Sequence, residues 1–119
     1  MLLNITNHPS HKWSSKQIIA SQVYGEIVDL PFPSISPYLE SKEIDEIVEE
    51  YLKKVKTYDQ PVVLLQGEFI FTYRLIQRLK EKGYKVIAAR SDRRTVEFTD
   101  KHGYTDRRSE FEFVDYLEY

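Results

Sequence analysis

Three short segments carry the side chains with chemical potential. Asn7-His8-Pro9-Ser10-His11 gathers an amide, a hydroxyl and two imidazoles around a proline. Gln66-Gly67-Glu68 sets an amide and a carboxylate on either side of a glycine. Arg90-Ser91-Asp92-Arg93-Arg94, followed by Thr95, concentrates guanidinium groups. Asn7, His8, Ser10 and His11 offer hydrogen bonds to a ligand, although Asn and Ser also make local turns and a lone histidine is often structural. Gly67 marks a place where the backbone turns tightly or approaches another group closely. Beside a phosphate, the free N–H groups of a following helix would bind it. Glu68 already puts negative charge on that helix dipole. It therefore suits a ribose hydroxyl, an adenine amino group or a helix cap better than a simple anion pocket. The arginine cluster is either a solvated charged face or a set of anion ligands.

Several other chemistries have no residues to perform them. There is no cysteine, which removes disulfides, thiolate catalysis and cysteine-ligated zinc. Neither G-x-G-x-x-G nor G-x-x-x-x-G-K-[ST] occurs, so dinucleotide and P-loop nucleotide sites are not indicated. No Ser, His and acid set has the setting of a nucleophile elbow. The three histidines lack a close carboxylate pattern, so neither a metal nor another cofactor is expected. A net charge of −2 and a pI near 5.9 argue against bulk nucleic-acid coating. No apolar run approaches the ~18 residues of a membrane span. The first residues lack the charged and apolar regions of a signal peptide, so a cytoplasmic protein with no membrane partner is expected. At 119 residues the chain predicts one domain, residues 1–119.

The elements that must hold these segments follow from periodicity. Met1 to Ile5 reads as a buried strand. Ser14-x-x-Gln17 reads as a capping box opening a helix whose stripe is Ile19, Ala20, Val23 and Tyr24, closed by Gly25. Glu26 to Leu30 is a second strand, stopped by Pro31-Phe32-Pro33. Residues 42–57 show the clearest helical stripe, with Ile44, Ile47, Val48, Tyr51, Leu52 and Val55 on one face. Acids come early in that helix and lysines late, as its dipole favours. Pro61 to Leu65 is apolar on both faces, the pattern of a strand inside a parallel sheet. A helix over 68–82 with a stripe of Phe69, Tyr73, Ile76 and Leu79 leads to a fourth strand, Tyr84 to Ala89. The arginine cluster then reads as the loop after that strand. Thr95–Phe98 and Phe111–Tyr116 read as two more strands paired in a hairpin.

This alternation predicts an α/β, Rossmann-like three-layer domain: a mainly parallel sheet, helices on both faces, and a C-terminal antiparallel hairpin. The simplest order places strand one beside strand three and strand two outside strand one. A crevice then opens at the C-terminal ends of strands one and three, where open α/β sheets bind ligands. The loops after strands one, three and four converge there. They bring Asn7, His8, Ser10, Gln66, Gly67, Glu68, Arg90, Ser91, Arg93, Arg94 and Thr95 to one rim.

The segments Asn7-His8-Pro9-Ser10, Tyr24-Gly25-Glu26-Ile27-Val28-Asp29-Leu30-Pro31-Phe32-Pro33 and Gln66-Gly67-Glu68-Phe69, with a closing aromatic strand, resemble small single-domain CRISPR-associated proteins. These are similar to the isolated CARF (CRISPR-associated Rossmann fold) domain and the compact ring nucleases of type III systems. The resemblance implies a role in antiviral defence. It implies a homodimer that binds a cyclic oligoadenylate second messenger and degrades it by metal-independent phosphodiester cleavage. A two-fold dimer presents its rim twice, which suits a ring of even symmetry. In such a site Arg90, Arg93 and Arg94 would offer bidentate donors to phosphate, and Ser10 would orient one. The ribose 2′-oxygen would attack its own 3′-phosphate, with His8 as base or acid and Glu68 placing the 2′-hydroxyl. Two alternatives remain open: a sensor or sponge that binds without cleaving, and a partner-binding domain using the aromatic end Tyr116, Leu117 and Tyr119.

Overall fold

The computed structural model describes residues 1–119. Strands β1 (Leu2–Ile5), β2 (Ile27–Asp29), β3 (Val62–Leu65), β4 (Val86–Thr99) and β5 (Thr105–Glu118) form one mixed sheet in the order β2-β1-β3-β4-β5. The first four run parallel and β5 is antiparallel to β4. Helices α1 (Ser15–Ser21), α2 (Ser41–Lys56) and α3 (Phe69–Glu81) make the crossovers. Short 3₁₀ turns at Ser10–Lys12 and Gln22–Tyr24 flank α1. The chain leaves β1 toward one edge and later leaves β3 toward the other, so the expected switch point lies between them. No helix is long and apolar enough to cross a membrane.

The two faces of the sheet are unequally covered. Leu3, Ile5, Val63, Leu65 and Val86 point toward α2 and α3, within a cluster of 13 buried residues. The alternate residues Leu2, Leu64 and Ile87 face α1 and form a cluster of only 3, against which Trp13, Tyr24, Ala89 and Tyr116 pack. Helix α2 buries Ile44, Val48, Tyr51, Leu52 and Val55 of the predicted stripe, and Ile47 packs partly buried at its edge.

Two helical stripes differ from expectation. Ile19 in α1 and Val23 in the 3₁₀ turn after it point to solvent, and Ser21 is the fully buried residue. The reason is the surface α1 meets: the Tyr116 hydroxyl lies 2.8 Å from Ser21 Oγ and accepts from Gln17 Nε2 at 3.2 Å. That contact also takes the Gln17 amide away from the predicted capping box. Ser14 Oγ still accepts from the Gln17 backbone N–H, at 3.3 Å. In α3 the buried stripe is Phe71, Thr72, Leu75 and Leu79, while Phe69 and Tyr73 are 89% and 62% exposed. These two share the flank of α3 from which Lys80 Nζ donates to the Tyr119 carbonyl at 2.8 Å. That flank faces β5, which no helix covers on this side.

The largest correction concerns the arginine cluster. Arg90 to Arg94 do not form a loop: β4 continues through them to Thr99, so the sheet has five strands and not six. Polar residues on both faces give no apolar periodicity, yet cross-strand charge pairs hold the ladder. Arg90 forks onto Asp115 with two bonds of 2.7 Å, Arg94 reaches Glu112 at 2.9 Å, and Arg107 reaches Glu97 at 3.2 Å. The two strands leave the sheet as a ribbon, with a bulge at Arg90/Ser91. Its turn is closed by Asp100, whose Oδ1 accepts from the backbone N–H groups of His102 and Tyr104, with Gly103 at φ +83°.

Candidate ligand-binding cleft

A cleft of about 550 Å³ opens over the C-terminal ends of β1 and β3, on the α1 side of the sheet. Thr6, Asn7, His8, Lys12, Trp13 and Ser14 border it from the first loop, and Gln17 from α1. Leu64, Gln66 and Gly67 form the β3 border, and Ala89, Ser91, Phe111 and Phe113 come from the ribbon. The volume lies within the ~300–1,000 Å³ usual for small-molecule sites. No aspartate or glutamate lines it, although the chain has 19 of them. Its one formal cation is Lys12, and Lys12 belongs to no ion pair. An anionic ligand is the charge class this lining favours.

The first loop is built to be rigid. Asn4, 2% exposed within β1, donates from Nδ2 to the His8 carbonyl at 3.0 Å and to Asp29 Oδ1 at 2.8 Å. Its Oδ1 accepts from Thr6 Oγ1 at 2.8 Å. Trp13 Nε1 donates to the same His8 carbonyl at 2.9 Å. Asp29, at the end of β2, also accepts from Ser10 Oγ at 2.8 Å and from the Ser10 N–H at 3.2 Å. Partial burial pushes the Asp29 carboxyl upward, but hydrogen bonds from Asn4 and Ser10 outweigh it and hold the group below its ordinary value. All the hydrogen bonds of His8 are made by its backbone. The loop is fixed while the imidazole remains free at the cleft.

The sequence-predicted residues divide accordingly. Asn7, His8, Gln66, Gly67 and Ser91 reach the cleft. The others have different work. Ser10 is bound to Asp29. His11 lies near the same carboxylate, outside the lining. Glu68 caps α3: its Oε1 accepts from the Ile70 N–H at 2.9 Å and its Oε2 from the Phe71 N–H at 2.7 Å. Arg90 and Arg94 are held in the ribbon's ion pairs, on the face away from the cleft. The Asp115 carboxyl is held below its usual range by its bond from Arg90. Arg93 shares the cleft-side face with Ser91 and Phe111 but donates to Ser109 Oγ at 3.1 Å, beyond the lining. Thr95 lies further out, opposite Ser109. The ribbon's arginines are thus largely balanced within the ribbon.

Two lining residues are there for structural reasons. The Gln66 side chain donates to the Ala89 carbonyl at 3.0 Å and accepts from the Ala89 N–H at 2.9 Å, a two-point bond that prolongs the β3–β4 ladder. A Cβ on Gly67 would stand well inside van der Waals distance of the Phe32 ring, which packs edge-on against Phe71 at 5.2 Å. Glycine is therefore required by an aromatic neighbour and not by phosphate. Among the lining residues that escaped sequence reasoning are the cation and the three aromatic rings: Lys12, Trp13, Phe111 and Phe113. The alternation Phe111-Glu112-Phe113 was the available signal, since it puts both rings on one strand face.

The fold and cleft define a small α/β protein with a polar and aromatic, acid-free cleft at its switch point. The chain matches the uncharacterized protein MJ1673 family over residues 1–117, and it belongs to that family. No curated protein and no solved structure matches it.

Proposed function

We propose that this protein binds a cyclic oligoadenylate at the switch-point cleft as a homodimer. We further propose that it opens the ring without a metal, as a CRISPR-associated ring nuclease on a Rossmann-like, CARF-type domain. One observation carries the reading: an acid-free cleft in an acidic protein presents a free imidazole from a hydrogen-bonded loop, beside an unpaired lysine. Attack by a ribose 2′-oxygen forms a new bond to the adjacent phosphorus and breaks the bond from phosphorus to the 5′-oxygen. The products are a 2′,3′-cyclic phosphate and a 5′-hydroxyl. His8 takes the 2′-proton or supplies the proton of the leaving oxygen, a role worth ~10²–10⁴ in rate. Lys12 offsets charge developing on the phosphate. Glu68 has no part in the step, because both its oxygens cap α3.

The dimer is supported by the bare flank of α3 and β5. Phe69, Tyr73 and Leu117, the last 54% exposed, lie on the side where Lys80 joins the helix to the chain end. Apolar surface gathered in this way commonly marks an interface. A second reading, a sensor or sponge, is favoured by the loss of Glu68, which leaves each cleft without a carboxylate base. Incubation with cyclic tetra-adenylate and cyclic hexa-adenylate in EDTA separates the two. Linear products ending in 2′,3′-cyclic phosphate, abolished by His8→Ala, support cleavage. An intact ring that raises the melting temperature supports the sponge. An intact ring with no thermal shift refutes both.

A further inference from the structure

We propose that Trp13 and Phe111 clasp a nucleobase of the ligand between the first loop and the ribbon, with Lys12 holding the attached phosphate. The inference rests on the nucleotide reading above and assigns its base and phosphate subsites. Trp13 is the single tryptophan of the chain. Its N–H is engaged by the His8 carbonyl and its body packs on the Leu2, Leu64 and Ile87 cluster. With its only donor engaged, the indole can offer the cleft nothing but aromatic surface. Phe111 projects from the ribbon on the same strand face as Ser91 and Phe113, and it is 72% exposed. Its neighbour Phe113 is buried and packs edge-on against Tyr116 at 5.0 Å, so the strand beneath Phe111 is anchored while its own ring is unsatisfied.

A large ring held in water among charged neighbours (Glu110, Glu112, Arg93) gains by covering a flat apolar partner. Every base has such a face, and stacking on aromatic side chains is how proteins hold bases without reading their edges. Gln66, the one side-chain amide on the β3 border, is committed to Ala89 and is not free to read a base edge. Stacking by itself discriminates weakly among bases. Lys12 and Trp13 line the same cleft, and Lys12 is its one formal cation, so it is the side chain available to a phosphate there.

The lone indole is a built-in reporter. The intact protein is titrated with cyclic tetra-adenylate, AMP and ribose 5-phosphate, following Trp13 emission and, in parallel, heat of binding. Both adenine ligands are expected to quench the emission saturably, and ribose 5-phosphate is not. Phe111→Ala, at an exposed position that cannot unfold the core, is expected to weaken the adenine ligands about tenfold or more and leave ribose 5-phosphate unchanged. Lys12→Gln is expected to weaken AMP and ribose 5-phosphate, while saturating AMP still quenches Trp13. If cyclic tetra-adenylate binds by calorimetry with no quenching and no response to Phe111→Ala, the clasp is wrong and the messenger reading stands. If AMP quenches in a Phe111-dependent way but cyclic tetra-adenylate does not bind, the clasp stands and the messenger reading falls. Absence of binding by every ligand overturns both.

Discussion

Replacing Glu68 by alanine tests whether this carboxylate is structural or chemical. Both oxygens accept backbone N–H bonds from the first turn of α3, at 2.9 and 2.7 Å. They are charge-assisted and sit on the positive end of the helix dipole. Loss of an N-cap costs ~0.5–2 kcal/mol. Two short bonds at a turn that starts the burial of Phe71 belong in the upper part of that range, about 1.5–2 kcal/mol. Unfolding entropy near 2.1 cal/mol/K per residue gives about 0.25 kcal/mol/K for this chain, so the melting temperature should fall by about 6–8 °C. Glu68→Gln keeps one acceptor and should lose about half as much, and Glu68→Asp, a strong N-cap, should recover most of it. The assay is thermal unfolding by circular dichroism, paired with ligand affinity and ring opening measured 20 °C or so below the transition. There, all three variants should bind and turn over within about threefold of the wild type, because a folded cap and a frayed one present the same cleft. An unchanged melting temperature for Glu68→Ala, or a loss of affinity beyond about thirtyfold in the folded variant, would refute the assignment.

Three further outcomes follow from the same geometry. Gly67→Ala should destabilise the protein by about 1–3 kcal/mol in a denaturant titration, by driving the Phe32 ring off Phe71, and Phe32→Ala in the same chain should relieve most of the added strain. The lowered Asp29 carboxyl stabilises the fold in full above its unfolded value near 3.9, and this contribution disappears as pH falls below that value through the folded one. An acid titration of stability should thus be flatter below about pH 4 in Asp29→Asn than in the wild type, and an identical acid limb counts against the network. Phe69→Glu with Leu117→Glu should give a monomer by light scattering with an unaltered circular dichroism spectrum; a dimer that survives both charges uses another surface.

What the sequence revealed of this fold depended on where burial was strong. β1, β3 and α2 lie against the larger cluster, and their apolar patterns set element type and extent to within a residue. The arginine segment failed for the converse reason. A strand solvated on both faces has no hydrophobic period, and the carboxylates that pair its arginines, Asp115 and Glu112, lie more than fifteen residues away in the chain. The α3 stripe held in part. Leu79 is buried and Ile76 packs on the core, but Phe71 and Leu75 complete the buried face in place of Phe69 and Tyr73. At the cleft, residue type misled where a side chain had a local use. Ser10, Glu68 and Gln66 look like ligand groups, and each is engaged by a partner that only the folded chain supplies.

The position of the cleft also follows from the unequal faces. The α2–α3 side holds most of the buried apolar surface, and with it most of the stabilisation available to a chain of this length. The α1 side has a 3-residue cluster and a short helix joined to the sheet by hydroxyl and amide contacts at Tyr116. A surface with so little packing can leave aromatic rings and a lysine uncovered without endangering the fold. It cannot by packing alone hold a loop in one shape, which a preorganised site requires. The Asn4 network supplies that constraint. A buried amide in β1 ties Thr6, the His8 carbonyl and Asp29 together, and Asp29 in turn holds Ser10. Rigidity at the site therefore comes from polar bonds to the strand ends, and stability comes from the opposite face. Core substitutions under α2 and α3 should for this reason move the melting temperature more than ligand affinity, whereas Asn4→Leu, which strips the loop and Asp29 of their shared partner, should lower both.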